Sequence, residues 1–205
     1  MIFNMITVHK IYPVGFAANS YLITDDGKTA VAIDPAQPRV FDEAKKRGLT
    51  VTHVLLTHGH FDHIGGVGAF YGQGAKVACM KEERALVLGE NNLAATMGGG
   101  IPIAPFQIDV LLRDGQEIEL CGMKVRVIAT PGHTAGGCCY EIGDCLFTGD
   151  TLFCGSYGRC DLPTGSYFAL ENSLKKLFAL GKNYKLYTGH GEDSLLFSER
   201  QFYGF

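Results

Sequence analysis

His58-Gly59-His60-Phe61-Asp62-His63 packs four nitrogen or oxygen donors into six residues. Neutral imidazole and carboxylate are ligands that zinc and iron accept, and a Zn–N contact of about 2.0–2.1 Å is within reach at this spacing. Side chains at i and i+2 of an extended strand share a face, so His58 and His60 are expected to converge on one ion. The turn that follows then brings Asp62 and His63 to a neighbouring position. Three further donors repeat one grammar, each lying just past an apolar strand in a glycine-marked loop. Val125–Ala129 leads to Thr130-Pro131-Gly132-His133, Cys145–Thr148 to Gly149-Asp150, and Lys185–Thr188 to Gly189-His190. Strand ends that deliver ligand-type side chains to one edge are a common way for a sheet scaffold to assemble a site. The expected metal ligands are therefore His58, His60, Asp62, His63, His133, Asp150 and His190. His9 and His53 stand outside the set: His53 lies within a strand, and His9 has no acidic or histidine neighbour.

The elements that must position these residues can be followed along the chain. Ser20–Thr24 and Thr29–Asp34 form a hairpin around Asp25-Asp26-Gly27-Lys28. Helical spacing over Val40–Arg47 stops at Gly48, and the buried-type strand Val51–Leu56 runs straight into the first histidines. A helix over His63–Tyr71, a strand at Lys76–Met80 and a helix at Glu82–Leu88 follow. Residues 89–106, GENNLAATMGGGIPIAPF, break the rhythm and read as an active-site loop or lid. Met97, Ile101, Ile103 and Phe106 within it either wall the site or bury themselves against the core or a partner subunit. Strands resume at Glu117–Leu120, Lys124–Ala129, Cys138–Ile142 and Cys145–Thr148. An amphipathic helix over Tyr167–Leu180 and a last strand at Lys185–Tyr187 complete the series. Strand runs mixed with helices, without strict βαβ alternation, indicate an α+β chain with sheet packed on sheet and helices outside.

At 205 residues, the chain is expected to form a single domain over 1–205 with a self-sufficient core. A net charge of −3 argues against a nucleic-acid partner. Lys45-Lys46-Arg47 reads as the solvated end of a helix. No apolar run is long enough for a membrane span, and the N-terminus lacks a signal-peptide pattern. The seven cysteines are odd in number and include no Cys-x-x-Cys pair. Most lie in apolar strands, where a reduced thiol behaves as a small hydrophobe, so a cytoplasmic location is expected. The expected partner is a small molecule, with the chain a monomer or homodimer.

Four segments, THGHFDH, TPGHTAG, FTGDTLF and YTGHG, together resemble the metallo-β-lactamase fold superfamily in the right order and over nearly the whole chain. Within it, the likeness is greatest to glyoxalase II (hydroxyacylglutathione hydrolase) and its short, single-domain relatives. The resemblance implies a four-layer αββα sandwich of two mixed β-sheets with helices on the outer faces. It implies two divalent ions, most readily zinc, with iron or manganese admitted by the same donors. His58, His60 and His133 would hold the first; Asp62, His63 and His190 the second, with Asp150 bridging. Asp34, in Ile33-Asp34-Pro35, matches an acidic residue that the family keeps near the site. It either orients a ligand or simply ends a strand.

A hydroxide shared by two such ions would attack a thioester carbonyl, and Asp62 carries catalysis by holding the second ion. No G-x-S-x-G elbow is present, and neither Cys154 nor Cys160 has a histidine beside it in sequence, so no covalent nucleophile is expected. Gly155-Ser156-Tyr157-Gly158-Arg159-Cys160-Asp161 resembles the GxxGRxD stretch of small glyoxalase-II-like proteins. Arg159 either grips a substrate carboxylate or pairs with Asp161, and Tyr157 is a weaker contact candidate. The chain ends at Phe205, soon after His190, so the helical C-terminal domain of full-length glyoxalase II is expected to be absent, which puts glutathione recognition in question. Two rivals share the ligands: a mononuclear iron persulfide dioxygenase using His58, His133 and Asp150, and a metal-storage or sensor module.

Overall fold

Alternation along the strands sorts their side chains onto two faces, and both faces are buried. The computed structural model describes residues 6–97 and 103–204. β1 (Thr7–Ile11), β2 (Ser20–Thr24), β3 (Thr29–Ile33), β4 (Thr50–Leu55), β5 (Lys76–Met80) and β6 (Val110–Leu112) make one sheet in chain order. β7 (Glu117–Leu120), β8 (Met123–Ala129), β9 (Cys138–Ile142), β10 (Cys145–Gly149), β11 (Lys185–Thr188) and β12 (Ser194–Leu195) make the other, again in chain order. Both sheets are mixed. In the first, β1, β2 and β3 pair antiparallel and β3 to β6 parallel. In the second, only β10 and β11 pair parallel.

Tyr21, Ile23, Val31, Ile33 and Leu55 point into the gap between the sheets, where they meet Val125, Val127, Tyr140, Ile142 and Phe147. The residues between them face the other way. Leu22, Ala30, Ala32 and Val54 pack under the helices α1 (Arg39–Lys46) and α3 (Val67–Tyr71). Ile128, Cys139, Leu146 and Leu186 pack under α5 (Tyr167–Phe178) and the first residue of the short α6 (Leu196–Phe202). The layers run helix, sheet, sheet, helix, as the period-2 pattern demands once both sheet faces are apolar. Among the described residues, no helix is long and apolar enough to cross a membrane.

The hairpin forms as expected, with Gly27 at φ +68 in its turn. Three expectations change. The helix over 63–71 is broken into α2 (Phe61–Ile64) and α3 by Gly65-Gly66. A Cβ on Gly66 would lie 2.3 Å from the Gln37 carbonyl oxygen, and its N–H donates to the Pro35 carbonyl at 2.7 Å. That close backbone approach interrupts a pattern that sequence reads as continuous. Likewise β4 ends at Leu55, so His58 and His60 sit on the connecting loop and not on a strand face. The predicted helix over 82–88 becomes a 3-10 turn (Lys81–Glu83) followed by α4 (Arg84–Leu88). β1, β6, β12 and α6 escaped the sequence reading because they are short and weakly patterned. Ile101, within the expected lid, lies outside the described residues; Ile103 and Phe106 pack against the helix-covered face of the first sheet.

Candidate metal centre

The C-terminal ends of β4, β8, β10 and β11 open on the same edge of the sandwich, and each delivers ligand-type side chains there. The loop after β4 carries His58 and His60, and α2, which begins at Phe61, carries Asp62 and His63. His133 follows β8, Asp150 follows β10, and His190 follows β11. All seven expected residues come together. His58, His60 and His133 form one cluster of donor atoms and Asp62, His63 and His190 another, each within 4.8 Å.

The imidazoles are oriented by what their far nitrogens touch. Asp34 takes the Thr57 N–H on Oδ1 at 2.8 Å, and the Thr57 hydroxyl on Oδ2 at 2.5 Å. Having donated its proton, that hydroxyl accepts from His58 Nδ1 at 3.1 Å. Oδ2 of Asp34 also accepts from His63 Nδ1, at 2.9 Å. His133 Nδ1 donates to the Arg159 carbonyl at 2.7 Å. In His58 and His63, the Nε2 atoms are left buried with no hydrogen-bond partner, as is Asp150 Oδ1. Buried polar atoms are normally paired, so an unpaired group of imidazole and carboxylate atoms is what a cation site leaves behind. His60 Nδ1 and His133 Nε2 stand 2.9 Å apart, near the roughly 3.3 Å edge of a tetrahedron with zinc-length bonds. The residues fit divalent ions.

Asp150 lies between the two clusters. Its Oδ2 is 3.5 Å from both His133 Nε2 and His190 Nε2, and its Oδ1 is 3.2 Å from His63 Nε2. Asp62 Oδ2 is 3.2 Å from His190 Nε2. Gly189 makes this approach feasible, because a Cβ there would sit 2.2 Å from Asp150 Oδ1. Asp34 also falls in a cluster with His58 and His63. Its oxygens are already engaged by Thr57 and His63, so it stands behind these candidate donors.

Burial, reinforced by the neighbouring His133 and His63, pushes the His60 pKa down to about 4. Burial holds His58 well below the usual imidazole range. Both rings are therefore neutral at pH 7, the state that binds a metal. Burial opposes charge on His63 as well, but Asp150 and Asp62 outweigh it and raise its pKa well above the usual value. Asp150 is held low against its burial by His63, His190 and His133.

The clusters open into a cavity of about 600 Å³. Phe16, Phe61, Leu93, Met97, Phe153 and Leu162 supply its apolar wall. Leu93 and Met97 belong to the 89–106 segment, so its described part does reach the cavity. Arg159 lines the mouth, with its guanidinium held by Asp161 through two hydrogen bonds of 2.6 and 2.7 Å. Tyr157 is directed elsewhere, its ring packed near Tyr167 and Tyr203. Burial raises the Cys160 thiol pKa, contrary to what a nucleophile needs. His9 and His53 stay in β1 and β4, outside both clusters. Thr57 and the Arg159 carbonyl were missed by sequence reasoning. A threonine before the first histidine carries no ligand signal, and a backbone oxygen carries none at all.

A family model for the metallo-beta-lactamase superfamily matches residues 13–190. Hydroxyacylglutathione hydrolase GloC of Haemophilus influenzae is 32% identical, over 94% of this chain and 94% of its own length. The crystal structure of BLEG-1 B3 metallo-beta-lactamase aligns with a TM-score of 0.87 at 30% identity, covering 96% of this chain and 97% of that one. TTHA1623, in a di-iron-bound form, aligns with a TM-score of 0.81 at 32% identity, covering 94% and 98%.

Asp34→Ala leaves the His63 Nδ1 proton and the Thr57 N–H without their acceptor. Metal affinity should fall ~10–100-fold, as for other carboxylates behind a ligand histidine. Titration of the stripped protein against a chromophoric chelator measures this, and parental affinity in the variant would discard the role.

Proposed function

The chain belongs to the metallo-beta-lactamase superfamily, and on that premise we propose that it is a binuclear metal-dependent hydrolase of thioesters, S-acylglutathione-like in the first instance. One observation carries the binuclear reading: Asp150 stands within 3.5 Å of ligand nitrogens from both clusters. His58, His60 and His133 would hold one ion and Asp62, His63 and His190 the other, with Asp150 shared. Two divalent ions there, zinc by preference, would lower the pKa of a shared water from about 15.7 toward ~7 and polarise the substrate carbonyl. The di-iron form of one relative supports two ions and leaves iron as an alternative to zinc.

The chain's own residues supply the rest. Asp62, at the cavity wall beside His190, would hold the second ion and with it orient the attacking water. The apolar wall keeps bulk water from the reacting carbonyl. No hydroxyl or ammonium donor lines the cavity among the described residues. An amine leaving group needs a proton, whereas a thiolate, conjugate to a thiol of pKa ~8.5, departs unaided. This supports a thioester. Arg159 would meet a substrate carboxylate at the mouth while sharing its guanidinium with Asp161.

A paired assay tests the reading: zinc and iron counted per chain, then S-lactoylglutathione hydrolysis measured beside oxygen uptake with glutathione persulfide. Two ions and thiol release are expected. One iron with oxygen uptake and no thiol release would replace the hydrolase by the dioxygenase reading. Asp62→Ala should lose one ion and at least ~100-fold in hydrolysis, the scale of a catalytic proton-handling or water-orienting group; full activity would sink the binuclear scheme. Arg159→Ala should raise KM for S-lactoylglutathione roughly 2–10-fold with kcat unchanged, the worth of one exposed charge-assisted contact. An unchanged KM removes Arg159 from the substrate site.

A further inference from the structure

Glu83 is a carboxylate with 1% exposure, at the end of the 3-10 turn that precedes α4. Its Oε1 accepts the Gly59 N–H at 2.9 Å, and its Oε2 accepts the Gly136 N–H at 2.8 Å. Gly59 lies between His58 and His60. Gly136 lies in the loop of His133, between β8 and β9. One carboxylate thus ties a loop of the first sheet to a loop of the second, at Gly59 between two donors of the first cluster and at Gly136, in the loop of the third.

The same turn also sets how near the two loops come. A Cβ on Gly59 would lie 2.7 Å from the Val87 nitrogen, and one on Gly136 would lie 2.3 Å from the Glu83 nitrogen. Both loops therefore lie directly on the backbone of residues 82–87, with no room for a side chain. Burial pushes the Glu83 pKa up, and the Gly59 N–H, the Thr134 hydroxyl and the Gly136 N–H pull against it. A buried carboxylate is costly unless it is well hydrogen-bonded, and charge-assisted bonds from two amides supply that compensation. No catalytic atom touches Glu83, and it does not line the main cavity.

We propose that Glu83 is a positioning residue that fixes the distance between the His58–His60 loop and the His133 loop, and so sets the affinity of the first ion position. The proposal rests on the reading that these three histidines hold an ion. Glu83→Gln preserves size but turns one acceptor oxygen into an amide donor that faces an N–H. Glu83→Asp is too short to reach both amides and provides the same test should the glutamine variant fail to fold.

The experiment is a competition titration of metal-stripped protein with zinc, in two backgrounds. In Asp62→Ala, which keeps the first position, either Glu83 substitution should weaken zinc binding ~10–100-fold. In His133→Ala, which keeps the second, it should leave affinity unchanged. In the metal-free protein, amide hydrogen exchange at Gly59 and Gly136 should accelerate together. Glu199→Gln serves as the control for general loosening. It alters another buried carboxylate, one that holds the Gly155 N–H and the Ser194 hydroxyl, and should move neither affinity. Equal weakening in both backgrounds, or parental affinity in both, overturns the proposal. These measurements need no substrate, so absence of thioesterase activity would refute the proposed function and leave this inference standing. A parent protein that binds no zinc would refute both.

Discussion

The buried carboxylate of Asp34 is the constraint around which the site is arranged. At φ +45, its backbone occupies the left-handed region, which aspartate tolerates better than most residues do. That bend ends β3 and directs the side chain across to the loop after β4. There its two oxygens hold the Thr57 N–H, the Thr57 hydroxyl and His63 Nδ1. Through the Thr57 hydroxyl, the same carboxylate fixes His58. One acidic group therefore selects which nitrogen each of two imidazoles presents, one toward each cluster. Without it, two rings of a buried pocket would be free to turn, and the cost of their burial would go uncompensated.

The seven donors come from four strand ends in two sheets, so the site exists only because the sheets pack face to face. Phe147 stacks on Tyr187 and meets Tyr21 edge-on in the core below the donors, joining β10 and β11 to β2. Further up, Tyr21 donates to the Thr188 carbonyl at 2.6 Å, and Asn19 holds the Thr188 and Gly191 carbonyls. These bonds secure the loop of His190 from the opposite sheet. Glu83 performs the corresponding task for the other cluster, from the helical side. The ligand loops are thus clamped by groups that never face the cavity.

The cavity itself is written in different residues from the site. Its ligands hang from strand ends braced by several buried bonds, whereas its walls come from connecting segments that carry Phe16, Leu93, Met97 and Phe153. Rigid strand ends suit metal geometry, which has little tolerance for displacement, and surface loops suit variation in substrate. Arg159 belongs to both: its carbonyl orients His133, while its side chain stands at the mouth, tied to Asp161. A substitution of that side chain leaves the backbone contact to His133 in place.

The converging donors and the layered fold were legible in sequence because both follow local rules. Donors after apolar strands are visible as glycine-marked loops, and period-2 apolar runs declare buried strands. Asp34 was visible as a candidate, but its task was not, because a strand-ending aspartate looks the same whether or not a histidine lies behind it. The break at Gly65-Gly66 needed the Pro35–Gln37 backbone to be in place before it could be seen. Glu83 was invisible: a glutamate in an amphipathic segment reads as solvated, and only tertiary packing buries it against two amides that are 24 and 53 positions away. The sequence alone determined which side chains can hold metal, since that chemistry resides in the residue types and their local spacing. The tertiary structure alone decided which nitrogen each imidazole presents and how far apart the clusters stand, because those depend on hydrogen bonds between segments distant in the chain.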